Sequence, residues 1–299
     1  MYKTVQRALV LLAVIFSIAY PVALIGIAFN VTPPFPFGWA ASALLILEAC
    51  VLILAAMLAY DWLRACLAAL TVIVLSTLVE QIGVSTGIPF GSYFYTTVLQ
   101  PHITSQVPLA VSFAWVLVVF ASYSVVRIGY MGKDRIGLRG ALLGAMLATS
   151  LDLAIEPVAV YVEHYWVWIR PSSFNYYGVP LMNFMAWFFV AWVLLILVDM
   201  LMSATTSRTI PPDDHKGRPY YDMVWQAESS IVGATTRVAR GDGRPWLVSV
   251  RLVRLVPLLL FGGSLFMFAL VDLTHGYYAG VLFAALPALL LARKRIARK

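Results

Sequence analysis

From residue 8 to residue 29 the chain runs for 22 residues without a charge. About 20 apolar residues are enough for a helix to cross the roughly 30 Å hydrocarbon layer, and comparable stretches recur along the sequence. Eight are read as spans: 8–29, 39–60, 64–83, 108–130, 138–162, 180–202, 251–272 and 277–292. Backbone groups that leave water must satisfy one another, which a helix does within its own segment. The expected fold is therefore all-α, a polytopic integral membrane helix bundle of about eight spans forming one domain over residues 1–299. The first stretch lacks a clear small-residue cleavage site and is followed by further spans, so it reads as a retained helix. Charged residues make up only 12% of the chain, about half the usual soluble share. That excludes an ordinary soluble enzyme, a disordered chain and a collagen-like fibre. Cys50 and Cys66 form no CxxC pair, so no disulfide framework or zinc finger is expected.

The bases report orientation. With eight spans, 20 of the 21 Lys and Arg fall on one side of the membrane, from Lys3 and Arg7 to Arg298 and Lys299, and only Arg170 on the other. A wrong span count in mid-chain would scramble that segregation. The positive-inside rule then puts both termini in the cytoplasm, as expected of a multi-pass protein of the cell membrane. The net charge of +7 thus belongs to orientation and to the anionic lipid of the bilayer rather than to nucleic acid.

Three connections are long. Residues 84–107 and 163–179 lie on the outer side, carry almost no charge, and are rich in Tyr, Phe, Pro and Gly. Uncharged aromatic loops seldom float free in water, so both are expected to fold back as a cap on the bundle. The third connection, 203–250, is read as cytoplasmic, with Pro211-Pro212-Asp213-Asp214 and Gly241-Asp242-Gly243 as turn clusters. Between them Tyr221, Val224, Trp225, Ile231 and Val232 sketch an amphipathic helix on the membrane surface. Gly140-xxx-Gly144 and Gly276-xxx-Gly280 have the spacing of close helix packing.

Carboxyl groups inside a membrane are costly and tend to be functional. Glu48 falls in the second span, Glu80 in the third, and Asp152 with Glu156 in the fifth. Asp199 and Asp272 sit near span ends, where interfacial water is expected to solvate them. Asp152 and Glu156 are four residues apart and share a helix face. The third and fifth spans both run outward, which brings Glu80, Asp152 and Glu156 to a similar depth beneath the aromatic loops. Two carboxyl groups held close in a low dielectric cannot readily both ionise. The pair would then offer a neutral acid beside a carboxylate base. Pro157 removes a backbone donor right after Glu156, so the regular helix should kink or end there and free carbonyls.

Other chemistry is poorly supported. His102, His164, His215 and His275 form no HxxxH or HExxH spacing, so no metal is expected. No glycine-rich dinucleotide motif, phosphate loop or nucleophile elbow is present, and no cofactor is expected.

The wording around the outer loops is more specific. Glu80-Gln81-Ile82-Gly83 leads into Thr86-Gly87-Ile88-Pro89-Phe90-Gly91-Ser92-Tyr93-Phe94-Tyr95, then Val107-Pro108-Leu109. Later come Asp152, Glu156-Pro157-Val158-Ala159, Trp166-Val167-Trp168, Tyr176-Tyr177-Gly178-Val179-Pro180-Leu181-Met182-Asn183, and Trp187. Over about residues 75–200 this series resembles the CruF-type membrane carotenoid hydratases. That family includes bacterial carotenoid 1,2-hydratases and archaeal bisanhydrobacterioruberin hydratases. Where the family pattern has Asp-Pro this chain has Glu156-Pro157, so either Asp152 or Glu156 takes the family's acidic role.

The resemblance implies a cofactor-independent hydro-lyase. Water would add across the terminal double bond of a membrane-dissolved acyclic carotenoid to give a tertiary alcohol. Other membrane enzymes of the same biosynthesis are the implied partners. Catalytic roles fall to Asp152 and Glu156 as the acid/base pair, with Glu80 in support. Tyr93, Tyr95, Trp166, Trp168, Tyr176, Tyr177, Asn183 and Trp187 are the candidate substrate-binding residues. Their aromatic faces would stabilise a tertiary cation, and Asn183 would help to hold the attacking water. Two other readings stay open on the residues alone: another cation-forming isoprenoid enzyme, such as a cyclase or isomerase, and a proton-coupled transporter. A non-catalytic scaffold with the acids as helix glue is a third.

Overall fold

The structure is a computed structural model that describes residues 2–31, 39–130, 133–169, 174–203, 250–285 and 287. Seven helices among them are long and apolar enough to cross a membrane. They are α1 (Tyr2–Ala28), α2 (Ala40–Ala59), α3 (Trp62–Thr86), α4 (Leu109–Gly129), α5 (Gly137–Pro157), α6 (Leu181–Ser203) and α7 (Val250–His275). The all-α membrane bundle expected from the sequence is borne out, and the protein is a multi-pass membrane protein. Of the eighth expected span, 277–292, residues 278–285 are helical, and most of the remainder lies outside the described residues. The connection 203–250, with its expected amphipathic helix, lies outside them too, apart from its two end residues.

Burial separates the helices into a centre and a rim. In α4, 14 of 21 residues are buried, whereas α1 buries only Gln6, Leu9 and Ala28. Leu11, Ile18 and Val22 of α1 are exposed. On a membrane helix those side chains face lipid, which is as apolar as a protein core, so their exposure is not a cost. Helix contact is instead set by small residues. A Cβ on Gly144 would stand 2.7 Å from a Leu195 methyl carbon, so α5 and α6 approach as closely as they do because that position is bare.

The helix ends that matter for the site meet at one end of the bundle. The C-termini of α1 and α7 share it, since Asn30 Nδ2 lies 3.4 Å from His275 Nε2. The alternating connections bring the C-termini of α3 and α5 and the N-termini of α4 and α6 there as well. Two short antiparallel ribbons close over this end. Strand β1 (Tyr93–Tyr95) pairs with β2 (Trp166–Trp168), so the two aromatic connections are joined to each other. The register sets Tyr93 opposite Trp168 and Tyr95 opposite Trp166. Strand β3 (Asn175–Tyr176) pairs with β4 (Val179–Pro180), which leads straight into α6. Tyr177 and Gly178 form the turn between them with φ of 47° and 74°, the left-handed pair that a two-residue hairpin turn requires.

The α3 exit is shaped by two glycines. Gly87 ends the helix with φ of 76° and returns its N–H to the Gly83 carbonyl, the left-handed ending that favours glycine. At Gly83 a Cβ would come within 2.6 Å of the Phe90 ring and 3.1 Å of the Tyr93 hydroxyl. The absent side chain lets β1 lie directly against α3. Beyond Pro157, α5 passes into a π-turn over Val158–Val162. The helix thus widens where proline lacks its donor, the break in regularity that the sequence places there.

Candidate active site

Strand periodicity puts one face of the β1–β2 ribbon toward the bundle. Phe94 and Val167 point away and are exposed. Tyr93, Tyr95, Trp166 and Trp168 point in, and all four polar tips end on carboxyl groups. The Tyr93 hydroxyl donates to Glu80 Oε2 at 2.5 Å and the Tyr95 hydroxyl to the same oxygen at 2.8 Å. Trp166 Nε1 donates to Glu156 Oε2 at 3.0 Å and Trp168 Nε1 at 3.3 Å. Burial, and then the Glu80 carboxyl beside them, push both phenols well above the ordinary tyrosine range, so they stay protonated donors.

Two more helices complete the enclosure. Trp115 of α4 donates its indole N–H to Glu80 Oε1 at 2.8 Å. Trp187 of α6 stacks on Trp115 with centroids 3.9 Å apart and planes 12° from parallel, which fixes the donor ring from behind. Asn183, in the first turn of α6, bridges the pair on α5. Its amide nitrogen donates to Glu156 Oε1 at 2.9 Å and to Asp152 Oδ2 at 3.2 Å, using both hydrogens. Glu80, Asp152, Glu156 and Asn183 are all at most 4% exposed. Glu80 lies within electrostatic reach of both Asp152 and Glu156. Asp152 and Glu156, bridged by Asn183, and Glu80 of α3 are thus all buried beneath the ribbon.

The donors are unequally shared. Glu80 and Glu156 each accept three hydrogen bonds from described residues, whereas Asp152 accepts one, from Asn183. Tyr176 packs edge-on against Phe184 and Phe283 and lies within electrostatic reach of Asp152 and Glu156. Tyr177 is placed differently. It sits in the hairpin turn, its ring meets Tyr176 and Tyr277, and its carbonyl accepts from the Tyr161 hydroxyl. Along α6 runs an apolar groove of about 420 Å³, lined by Ile88, Pro89, Leu181, Met182, Met185 and Phe189. It begins on the turn of helix that carries Asn183.

Sequence reasoning missed Trp115, which looks like any aromatic of an apolar span. Counting from the helix ends would have found it. Glu80 lies six residues inside the end of α3, and Trp115 lies six inside the start of the antiparallel α4. The expectation that Asp199 and Asp272 are solvated is corrected, since they are 3% and 0% exposed. Asp199 accepts the backbone N–H groups of Ile136 and Gly137, both at 3.1 Å, and hydroxyls from Tyr123 and Ser203. The first amides of α5 have no partner within their own helix, and a carboxylate supplied by α6 satisfies them. Glu48, whose facing the sequence left open, is buried and accepts the Ser264 hydroxyl at 3.0 Å, joining α2 to α7. Among the described residues no three His, Cys, Asp or Glu side chains are grouped to hold a metal ion.

Residues 40–256 match the family described as "Carotenoid biosynthesis protein". The match runs beyond the 75–200 stretch of motifs at both ends, taking in α2 and entering α7. A bisanhydrobacterioruberin hydratase of Haloarcula japonica is 29% identical over 137 residues, which are 46% of this chain and 45% of that protein. The chain thus aligns with under half the length of that relative. No solved structure matches it. The likeness to CruF-type proteins read from the cap sequences is borne out. With nearly three-quarters of its length matched, the chain belongs to the carotenoid biosynthesis protein family.

Proposed function

We propose that this protein is a carotenoid hydratase, adding water to the terminal double bond of a lycopene-like or bisanhydrobacterioruberin-like acyclic carotenoid. The observation that carries the reading is the Asp152–Asn183–Glu156 arrangement, two buried carboxyl groups bridged by one amide. Family membership supports a carotenoid substrate, and the named relative supports hydration as the reaction.

The chemistry follows from the donor count. Glu156, held by three N–H groups, is the better-stabilised anion, because hydrogen bonds to a carboxylate favour its charged form. Asp152, with one donor, carries the proton. It delivers that proton to the less substituted carbon of the terminal double bond, and the π electrons form the new C–H bond. A tertiary cation remains, which the carboxylates and the ribbon's aromatic rings stabilise in a site closed to bulk water. Water adds to the cation, forming the C–O bond, and its surplus proton returns to a carboxylate. The acid is regenerated, and the reaction needs no cofactor. The apolar groove along α6 suits a polyene that enters sideways from the bilayer. In this reading the aromatic connections 84–107 and 163–179 are the outer cap.

Pigment analysis by mass, after expression in a host that makes an acyclic carotenoid, tests the proposal. The expected product is heavier by one water for each modified end. An unchanged mass with altered retention would overturn hydration in favour of cyclisation or isomerisation, which start from the same cation.

A further inference from the structure

Asp272 lies beyond the residues matched to the family and outside the site described so far, yet it is fully buried. Neither of its carboxyl oxygens has a hydrogen-bond partner among the described residues. The carboxyl presses on bare backbone, since a Cβ on Gly280 would overlap it. The buried hydroxyl of Tyr176 also has no hydrogen-bond partner among the described residues. Tyr176 lies within electrostatic reach of Asp272 on one hand and of Asp152 and Glu156 on the other. Its ring is wedged edge-on among Tyr177, Phe184 and Phe283 at centroid distances of 4.7, 5.6 and 5.7 Å, so the hydroxyl cannot swing out to solvent. Buried polar atoms are rarely left unpaired, and a water bonded to two or more of them is the usual resolution.

We propose that Asp272 and Tyr176 are positioning residues for the water that is added. The inference rests on the hydratase reading. One water accepts from the Tyr176 hydroxyl and donates to the Asp272 carboxyl, beside the acid pair. After Asp152 has protonated the alkene, the oxygen of this water bonds to the cation, and the proton it sheds goes to the carboxylate pair. The Asp272 carboxyl and the Tyr176 hydroxyl touch neither the alkene nor the transferred proton, and Tyr176→Phe keeps the ring in place. Their loss therefore leaves protonation intact and starves the cation of water, which then gives a proton back to a carboxylate and reverts to alkene.

That uncoupling can be measured. Membranes containing lycopene and either the wild type, Asp272→Leu, Asp272→Asn or Tyr176→Phe are incubated in deuterated buffer. Hydrated ends and deuterium in the recovered lycopene are both read by mass, with protein levels matched. Hydration is expected to fall about tenfold in Asp272→Leu and Tyr176→Phe, the loss expected when a reactant is no longer held in place. It should fall less in Asp272→Asn, whose amide still bonds water. Deuterium exchange should persist in all three. Exchange falling in step with hydration would mean a structural role and overturn the proposal, as would hydration at wild-type level. A wild type that exchanges deuterium but adds no water would sink the hydratase reading and this inference with it.

Discussion

The two ends of the bundle treat buried carboxyl groups in opposite ways. Away from the cap, Asp199 accepts four hydrogen bonds, two of them from backbone amides at the start of α5. At the cap, Asp152 accepts one from a described residue and Asp272 none. Burial alone does not separate them, since all three are at most 3% exposed. What differs is saturation. A carboxylate held by several fixed donors is a fastener, its charge already satisfied by the protein. A carboxyl group that shares one amide with a second carboxyl retains the capacity to exchange a proton. Donor count separates Asp199 from Asp152 and Asp272 where burial does not.

The sharpest way to break this contrast is Asp152→Asn. The amide fills the same volume and can still accept from Asn183, so the bundle should insert at the wild-type level. A positioned general acid contributes about 10²–10⁴-fold, and hydrated product should fall by that order. Retained hydroxycarotenoid at normal protein level would remove Asp152 from the acid role and return the assignment to Glu156.

Asp199→Ala should do the reverse. Two backbone N–H groups and two hydroxyls lose their acceptor inside the bundle, at a cost of about 3 kcal/mol. Thermal unfolding in detergent should shift down clearly, with less protein recovered. Product formed per amount of folded protein should stay within about twofold of the wild type, since nothing links Asp199 to the chemistry. A selective loss of turnover in well-folded Asp199→Ala would break the division between the two ends.

Much of this is legible in the sequence. The spans are, because a charge-free run of about 20 residues has few alternatives to a membrane helix. The depth of Glu80, Asp152 and Glu156 is legible too, since helices of known direction fix depth by residue count. The ribbon is not. Tyr93-Phe94-Tyr95 and Trp166-Val167-Trp168 are three residues each, too short for strand alternation to stand out, and their pairing joins segments about 70 residues apart. The sequence points to the ring faces of these aromatics and does not foresee that their hydroxyl and indole N–H groups hold Glu80 and Glu156. Depth near a span end does not imply solvation for Asp199, because the unpaired amides of α5 supply a protein partner instead.

The gentlest probe lies between the two ends, where Glu48 of α2 meets Ser264 of α7. Ser264 divides its hydroxyl between Glu48 Oε1 and the Leu260 carbonyl, both at 3.0 Å. Ser264→Ala therefore removes a shared rather than a dedicated donor. The loss should be about 1 kcal/mol, the net worth of one such bond, seen as a small fall in detergent melting temperature with hydration unchanged. A drop in turnover larger than the drop in stability would mean that Glu48 communicates with the acids under the ribbon. Glu48, which like Asp152 accepts a single hydrogen bond from described residues, would then stand with the working acids rather than the fasteners.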